Sequence, residues 1–342
     1  MENQFQYDYK WLLDANEMAF NPVENAFDTK LFFEANRYPD ATSLTLRTAI
    51  AELVGDETVT PENLIMGSGS DEVLKMAIEA FVKPFGSVII PNPSFSEYEK
   101  LCKITYREIV KVPCEDFTVN IDALIEAQKQ VDAELIILAN PNNPTGKVVS
   151  LNEIQRLLDE TRAWVLVDEA YMEFATCNAL PLLKYSPKLL VTRTLSKAYG
   201  LAALRIGYLM AQKSTIELLQ PYKMTYNISG LSESVAIEVL KNTTYSNRYV
   251  AMVKSVRRAA SIALASIDGL RAISSEANFI LIQIKDSEKF AALKSAFQAA
   301  GIKVRFFPNE PLDSPLCQCL RMTLTDFEAL KDTLQTIKAV MT

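Results

Sequence analysis

The middle of the chain alternates short apolar runs with amphipathic helical patterns, and this alternation is the feature that most restricts the fold. It is typical of βα units that build a mainly parallel sheet. In such sheets the residues that follow the strands gather along one edge, where α/β proteins bind ligands. The predicted strands cover residues 64–66, 87–90, 135–139, 164–167, 189–192 and 206–211.

A change of pattern near residue 240 predicts a second structural unit. The chain reads as mostly helical from about 230 to 266, and a βαβ-like tail follows to the end. At 342 residues the chain is long enough for two domains. We predict a large domain over residues 40–240 and a smaller α+β domain formed by residues 1–39 and 241–342. A helix is also predicted to begin near residue 200.

Composition excludes several classes of function. The net charge of −7 argues against a nucleic-acid or anionic membrane partner, and no apolar stretch is long enough to span a membrane. The chain has no histidine, which excludes Ser-His-Asp catalysis and His-ligated zinc. The five cysteines are scattered, which predicts a reduced protein with no metal site. The start of the chain is polar and acidic and has no signal-peptide features, which predicts a cytoplasmic protein.

A lysine that has phosphate-binding residues near it in the sequence follows the predicted strand at 189–192. Lys197 is flanked by Thr194, Ser196 and Arg205, which supply two hydroxyls and one bidentate guanidinium. A lone lysine is usually a solvated surface charge. In this setting we predict that Lys197 forms the Schiff base with pyridoxal phosphate (PLP).

A carboxylate and a phenol follow the predicted strand at 164–167. Asp168 is placed to pair with the pyridine nitrogen of PLP, so that the ring accepts electrons from the substrate. The structural alternative for Asp168 is the N-cap of a helix. Tyr171, three residues further on, suits a donor to the phenolate oxygen of the cofactor.

Two polar loops follow other predicted strands. Residues 140–146 are rich in Asn, Pro and Gly, which is typical of a turn, and Asn143 can also donate to the O3′ atom of PLP. The loop at 67–72 places Ser70 and Asp71 at the start of a helix, where the dipole favours an anion. A plain capped helix is the alternative there.

Two further residues are candidates whose ordinary structural roles stay open. Phe95 follows a Pro-Asn-Pro-Ser turn and can stack on the pyridine ring, although packing in the core is the commoner use of an aromatic ring. Arg321 lies in a strand-like apolar stretch and therefore needs an anionic partner. That partner is either a substrate carboxylate or a buried acidic side chain.

In combination these motifs resemble the fold-type I PLP-dependent aminotransferases, and among them the histidinol-phosphate aminotransferase-like group. The resemblance extends from about Leu12 to the last predicted helix. Its motifs lie at residues 12–17, 37–40, 67–72, 142–146, 167–171, 194–199 with Arg205, 276–279, 304–305 and 320–322.

The resemblance implies an α/β large domain around a mainly parallel seven-stranded sheet, a smaller α+β domain, and a homodimer. It implies that Lys197, Asp168 and Tyr171 are the catalytic residues. The implied substrate-binding residues are Asn16, Asn143 and Arg321. The implied cofactor contacts are Ser70, Asp71, Phe95, Asn143, Asp168, Tyr171, Thr194, Ser196, Lys197, Arg205 and, reaching the phosphate in the neighbouring subunit, Tyr38.

The implied reaction transfers an amino group between an L-amino acid, or an amino alcohol phosphate such as histidinol phosphate, and a 2-oxo acid. Such a step belongs to amino-acid biosynthesis. A decarboxylase of a phosphorylated amino acid, of the threonine-phosphate type, shares every cofactor residue and stays an alternative. A non-enzymatic PLP-binding protein is less favoured because Lys197 is intact. The sequence departs from the family pattern in two places: Phe95 stands where the family usually has tyrosine, and only eleven residues precede Leu12. The expected donors are histidinol phosphate or an aromatic amino acid.

Overall fold

Two β-sheets organise the chain. The computed structural model describes residues 9–18, 36–307, 310–311 and 314–341. The strands are β1 (Trp11–Leu13), β2 (Leu64–Ser68), β3 (Ser87–Asn92), β4 (Glu108–Pro113), β5 (Leu135–Ala139), β6 (Trp164–Asp168), β7 (Leu189–Thr194), β8 (Ile206–Met210), β9 (Leu270–Ala272), β10 (Phe279–Ile284), β11 (Ile302–Phe306) and β12 (Cys319–Thr323).

Ten α-helices cover these sheets in the described part of the chain. Within those ranges no helix is both long and apolar enough to cross a membrane. The helices are α1 (Leu44–Val54), α2 (Ser70–Phe81), α3 (Glu97–Ile104), α4 (Ile121–Val131), α5 (Leu151–Glu160), α6 (Lys213–Leu219), α7 (Gly230–Leu240), α8 (Thr244–Ala265), α9 (Ser287–Ala299) and α10 (Phe327–Met341).

The larger sheet has seven strands in the order β2-β8-β7-β6-β5-β3-β4. Only β8 runs antiparallel to its neighbours, so the prediction of a mainly parallel seven-stranded sheet is confirmed. Strands β5, β7 and β8 are buried throughout, as expected where helices cover both faces of a sheet. The sequence prediction missed β4, an edge strand whose residues are mostly exposed or half-buried.

The carboxyl ends of β2, β3, β5, β6 and β7 meet along one edge of this sheet, because all five strands run in the same direction. The loops after these strands begin near residues 69, 93, 140, 169 and 195. All of the predicted motifs in the larger part of the chain, apart from the Tyr38 segment, therefore reach a common edge.

The smaller sheet joins the two ends of the chain. Its order is β1-β11-β12-β10-β9, and β1 pairs in parallel with β11. Strand β11 lies between β1 and β12, and the segment after β1 crosses to β12, where the backbone N–H of Asn16 donates to Thr323 Oγ1 at 3.0 Å, two residues from Arg321. The predicted domain boundary near residue 240 lies between α7 and α8, and residues 19–35 of the predicted small domain lie outside the described residues. The division into domains stays a prediction.

The helix predicted to begin near residue 200 is wrong. The chain forms only a short 3₁₀ turn, Ala202–Leu204, and Arg205 then adopts a left-handed conformation with φ of 53° before β8 begins. This conformation ends the turn and sends the chain back into the sheet, because a left-handed residue cannot continue a right-handed helix.

Candidate active site

A cavity of about 490 Å³ opens at the carboxyl edge of the large sheet, where the smaller sheet closes over it. Twelve of the thirteen side chains predicted to form the site line this cavity. They are Asn16, Ser70, Asp71, Phe95, Asn143, Asp168, Tyr171, Thr194, Ser196, Lys197, Arg205 and Arg321.

Lys197 lies in the tight loop that follows β7. Its Nζ donates a hydrogen bond to the Ala15 carbonyl at 2.9 Å and lies 5.9 Å from the centre of the Tyr171 ring. The loop is fixed to α8, because Ser246 Oγ donates to the Ala198 carbonyl at 2.8 Å. The Ala15 carbonyl therefore positions the amine, while Ser246 anchors the loop that carries it.

Asp168 ends β6 and is only 4% exposed. Its Oδ2 accepts from the Tyr98 hydroxyl at 2.7 Å, and its Oδ1 accepts from Thr192 Oγ1 at 3.0 Å. Burial raises the pKa of Asp168 to about 6, although both hydroxyl bonds lower it. No lysine or arginine of the described residues forms an ion pair with this carboxyl group. A cationic ring nitrogen placed in the cavity would therefore offset the free-energy cost of burying the carboxylate charge.

Tyr171 points its phenol at two amides. Its oxygen accepts from Asn16 Nδ2 at 3.1 Å and from Asn143 Nδ2 at 3.3 Å. Because both amides donate, the phenolic hydrogen is left to donate to a ligand. The ring is buried edge-on against Phe279, with the ring centroids 5.1 Å apart.

Arg321 is buried on β12 without a carboxylate. Its guanidinium donates to Asn143 Oδ1 at 2.5 Å and to the backbone carbonyl of Asp14 at 2.6 Å. Its Nε is buried and has no hydrogen-bond partner, and burial lowers the pKa of the group. Among the described residues no acidic side chain pairs with Arg321, so an anionic ligand in the cavity could pair with it.

The loop before α2 is shaped around Arg205. Gly69 has a φ of 78°, and a Cβ atom on it would lie 2.3 Å from Arg205 Nη2. Arg205 Nη2 also lies 3.3 Å from Asp71 Oδ2, and Ser70 starts the helix. Glycine at position 69 thus leaves space for the guanidinium beside the free backbone N–H groups of the helix start, which is an arrangement that binds anions.

Two hydroxyls come from the end of β7 and the loop that follows it. Thr194 Oγ1 donates to Ser196 Oγ at 2.9 Å and accepts from the backbone N–H of Ser196 at 3.1 Å. Both side chains line the cavity. Together with Arg205 and the start of α2 they provide a cradle that fits a phosphate group.

Asn16 is buried and firmly held by hydrogen bonds. It is 1% exposed and adopts a left-handed conformation with φ of 57°. Its Oδ1 accepts from Thr323 Oγ1 at 2.9 Å, and its carbonyl accepts from Asn278 Nδ2 at 3.1 Å. The smaller sheet therefore sets the position of the Asn16 amide against Tyr171.

The sequence reasoning missed Tyr98 and Thr192, the two partners of Asp168. Tyr98 lies three residues after Phe95 and is fully buried on α3, with the two rings edge-to-face at 5.5 Å. Helical spacing from Phe95 was the available signal for Tyr98. Thr192 lies directly opposite Asp168 in the pairing of β6 with β7, which only the register of the strands shows.

Tyr38 is the predicted residue that the structure does not bring to the cavity. Its side chain is 81% exposed and stacks on Tyr226, with ring centroids 4.6 Å apart and an angle of 12° between the planes. Tyr38 does not line the cavity of its own chain. The expected contact with a neighbouring subunit stays a prediction.

The geometry agrees with the comparison with known proteins. Residues 9–337 match the family Aminotransferase class I and II. The chain belongs to this family. It is 36% identical over 306 residues to histidinol-phosphate aminotransferase of Caldanaerobacter subterraneus subsp. tengcongensis, covering 88% of this chain and 85% of that protein. The predictions of a PLP-dependent aminotransferase and of PLP as its cofactor are thereby confirmed.

Solved structures show the same fold. The histidinol-phosphate aminotransferase of Sinorhizobium meliloti, in complex with pyridoxal-5'-phosphate, superposes with a TM-score of 0.86 over 97% of this chain and 91% of that chain, at 23% identity. L-threonine-O-3-phosphate decarboxylase of Porphyromonas gingivalis reaches 0.76 over 93% of each chain, also at 23% identity. Similarity at this level shows the fold of the chain and does not separate transfer from decarboxylation.

Proposed function

We propose that this aminotransferase takes the amino group of L-histidinol phosphate and passes it to a 2-oxo acid. The observation that carries the proposal is Arg321, a buried guanidinium with an unpartnered Nε, in the same cavity as Lys197. It offers one site for an anionic group, which is the phosphate of the donor in one half-reaction and the carboxylate of the acceptor in the other. Curated relatives at 33–36% identity are histidinol-phosphate aminotransferases, which supports the choice of donor.

The residues at the sheet edge fit PLP as a ligand. We propose that Arg205, Ser196, Thr194 and the backbone N–H groups at the start of α2 hold its phosphate. Asp71 would act there through its backbone and through its pairing with Arg205, because its carboxylate would repel a phosphate. Phe95 would cover one face of the ring.

When bound, the cofactor supplies the electron sink that stabilises negative charge at the α-carbon of the donor. The Asp168 carboxylate would keep a proton on the ring nitrogen, because a buried carboxylate favours a cationic partner. The Tyr171 hydroxyl and Asn143 amide would donate to the O3′ atom. Lys197 Nζ would take the proton from the α-carbon and return one to C4′, since it is the amine that lines this cavity and lies over the Tyr171 ring.

A panel of donors tests the proposal. The holoenzyme with 2-oxoglutarate should use histidinol phosphate with a kcat/KM at least ~10²-fold above that for histidinol, because histidinol lacks the anion that pairs with Arg321. Phenylalanine, tyrosine and threonine phosphate complete the panel, with release of CO₂ measured in parallel. A higher kcat/KM for an aromatic amino acid, or CO₂ from threonine phosphate, would contradict the proposed donor or reaction.

We further propose that the enzyme is a homodimer in which Tyr38 reaches the cofactor phosphate of the partner subunit. The supporting observation is that Tyr38 is 81% exposed and lies outside its own cavity, although the remaining predicted residues line it. A closed two-fold dimer would exchange this contact in pairs.

Mixing two inactive variants tests this assembly. Tyr38→Ala and Lys197→Ala chains should form heterodimers in which one of the two sites has both native residues, so part of the activity returns. Each variant mixed with itself is the control. Heterodimers without any recovered activity, or an active wild-type monomer, would exclude a shared site. The cytoplasmic location stays a prediction from the sequence.

A further inference from the structure

A second groove lies between α8 and the edge strand β9. Its volume is about 660 Å³, within the range of small-molecule sites. Among the described residues that line it, none is acidic and four are basic. The basic residues are Lys254, Arg257, Arg258 and Arg271.

Three of these cations share one face of α8. Lys254, Arg257 and Arg258 are spaced by three and four residues, and Ser261 continues the same face. Like charges at this spacing repel one another and destabilise a helix by a few tenths of a kcal/mol. The chain as a whole has a net charge of −7, yet the described residues that line this groove include no acidic side chain.

The positive charge of the groove is left largely uncompensated. No carboxylate of the described residues lies within 4.0 Å of Lys254 or Arg258, and both side chains are exposed. Arg257 donates to the backbone carbonyls of Phe174 and Ala277, which are neutral acceptors, and the Glu276 carboxylate attracts it without forming an ion pair within 4.0 Å. Arg271 pairs with Asp116 at 2.6 Å, but both side chains are about half exposed or more, so this pair is weak.

The far side of the groove contacts the active site through residues 275–278. Ser275 lines the groove, and its Oγ lies 2.1 Å from where a Cβ on Gly146 would be, so the loop that contains Asn143 packs directly on it. Glu276 N donates to the Gly146 carbonyl at 2.8 Å. At the other end of the segment, Asn278 Nδ2 donates to the Asn16 carbonyl at 3.1 Å.

We propose that this cationic groove binds a small molecule with two or more phosphate groups, and that its occupancy weakens amino-donor binding through residues 275–278. An anion in the groove competes for the Arg257 guanidinium, which otherwise donates to the Ala277 carbonyl at 2.8 Å. Loosening that bond releases the segment that positions Gly146 and Asn16, both of which support the donor cavity.

The chemistry of the lining favours a phosphate chain over other anions. The serines at positions 274 and 275 add hydroxyl donors beside the cations, whereas Ser261 Oγ already donates to the Arg257 carbonyl at 3.0 Å. Phosphate oxygens accept from both hydroxyl and cationic donors. Ile262, Leu270 and Ile273 offer apolar contact for the rest of such a molecule. The net charge of −7 argues against a nucleic acid as the occupant.

Titration of the PLP-loaded enzyme with tripolyphosphate at about 0.15 M salt tests the site. Calorimetry should show binding, and the double variant Lys254→Gln with Arg258→Gln should bind at least ~10-fold more weakly, because each replaced cation removes a charge-assisted contact. The matched control is Lys129→Gln with Arg248→Gln, which removes the same charge from exposed positions outside the groove lining. Equal affinity in the groove variant, or no binding by the wild type, would overturn the proposal.

Kinetics separate the groove from the active cavity. Saturating tripolyphosphate should raise the KM of the amino donor at least ~3-fold in the wild type and in the control, and leave the KM of the groove variant unchanged. An equal rise in the groove variant would place the anion in the active cavity and overturn the proposal. Binding to the groove without any change in KM would overturn the coupling through residues 275–278.

Discussion

The two walls of the active cavity are built in different ways. The wall at the edge of the large sheet consists of short contiguous motifs, such as residues 194–197, each of which directly follows or ends a buried strand. The opposite wall consists of side chains far apart in the sequence, and its central hydrogen bonds join Arg321 to Asn143 and Asn16 to Thr323. These pairs are separated by 178 and 307 residues.

The difference predicts that the two walls have separate roles in binding. A cofactor is the same in every enzyme of the family, and a wall made of local motifs can be fixed by the strands that end there. A substrate differs between enzymes, and a wall assembled from two chain ends can change its shape through small shifts in packing. We therefore expect changes in the first wall to act on cofactor binding and turnover, and changes in the second to act on KM.

Lys197 is shared by both walls and should give the largest effect. Lys197→Ala removes the amine that we propose moves the proton, so turnover should fall at least ~10³-fold. The matched control, Lys184→Ala, changes an exposed lysine away from the cavity and should leave turnover unchanged. Borohydride treatment of the wild type should attach the cofactor to the peptide that contains Lys197. Label on any other lysine would contradict the assignment.

Asp168 tests the cofactor wall alone. Asp168→Asn should retain some PLP and lose at least ~10²-fold in turnover, because the ring nitrogen is no longer held in its protonated form while the hydrogen-bonding shape is kept. The KM of the donor should change little, since Asp168 contacts Tyr98 and Thr192 rather than the substrate wall. Near-normal turnover would refute the role of the carboxylate.

Arg321 and Arg205, one from each wall, give the sharpest form of the comparison. Arg321→Gln should raise the KM of the donor by roughly 10-fold to 10²-fold, the loss expected for one charge-assisted contact, and leave PLP affinity unchanged. Arg205→Gln should weaken PLP binding by a similar factor and leave the donor KM unchanged once the cofactor is saturating. The same response from both variants would show that the two walls are not separate. PLP affinity is measured by titration of cofactor-free protein, and KM by steady-state kinetics.

The same contrast explains how much could be predicted from the sequence. Lys197, Asp168 and Asn143 could be predicted to line the cavity because each lies just after, or at the end of, an apolar strand, and parallel strands bring such residues to one edge. The smaller sheet was only partly predicted: β1 and β9 are three residues long, too short to show a pattern. The contact between Asn16 and Thr323 depends on long-range packing that no local motif records.

Side chains beneath the site were missed for a related reason. In the sequence Tyr98 looks like an ordinary aromatic residue on the apolar face of a helix. Its hydrogen-bond partner Asp168 lies 70 residues further along the chain. Thr192 reads as an ordinary strand residue until the register places it opposite Asp168. Sequence patterns identify groups that face a ligand, whereas the groups that tune them become visible only when the strands and helices are packed together.

Tyr98→Phe should give the smallest effect and the clearest dependence on pH. The Tyr98 hydroxyl stabilises the charged form of Asp168, so its loss raises the pKa of Asp168 further above about 6. A hydrogen bond that lowers the pKa of a buried carboxyl group stabilises the folded protein fully at pH values above the pKa that the group has without the bond. The stabilisation is lost as the pH falls through the pKa that the group has with the bond, here about 6. In cofactor-free protein the variant should therefore be less stable than the wild type by about 1.5–3 kcal/mol at pH 8, and by less at pH 5. Urea unfolding at both pH values measures the difference, and turnover of the holoenzyme should fall only about 3-fold to 10-fold. A stability loss that is the same at pH 5 and pH 8 would show that Tyr98 contributes only packing beneath the cofactor wall.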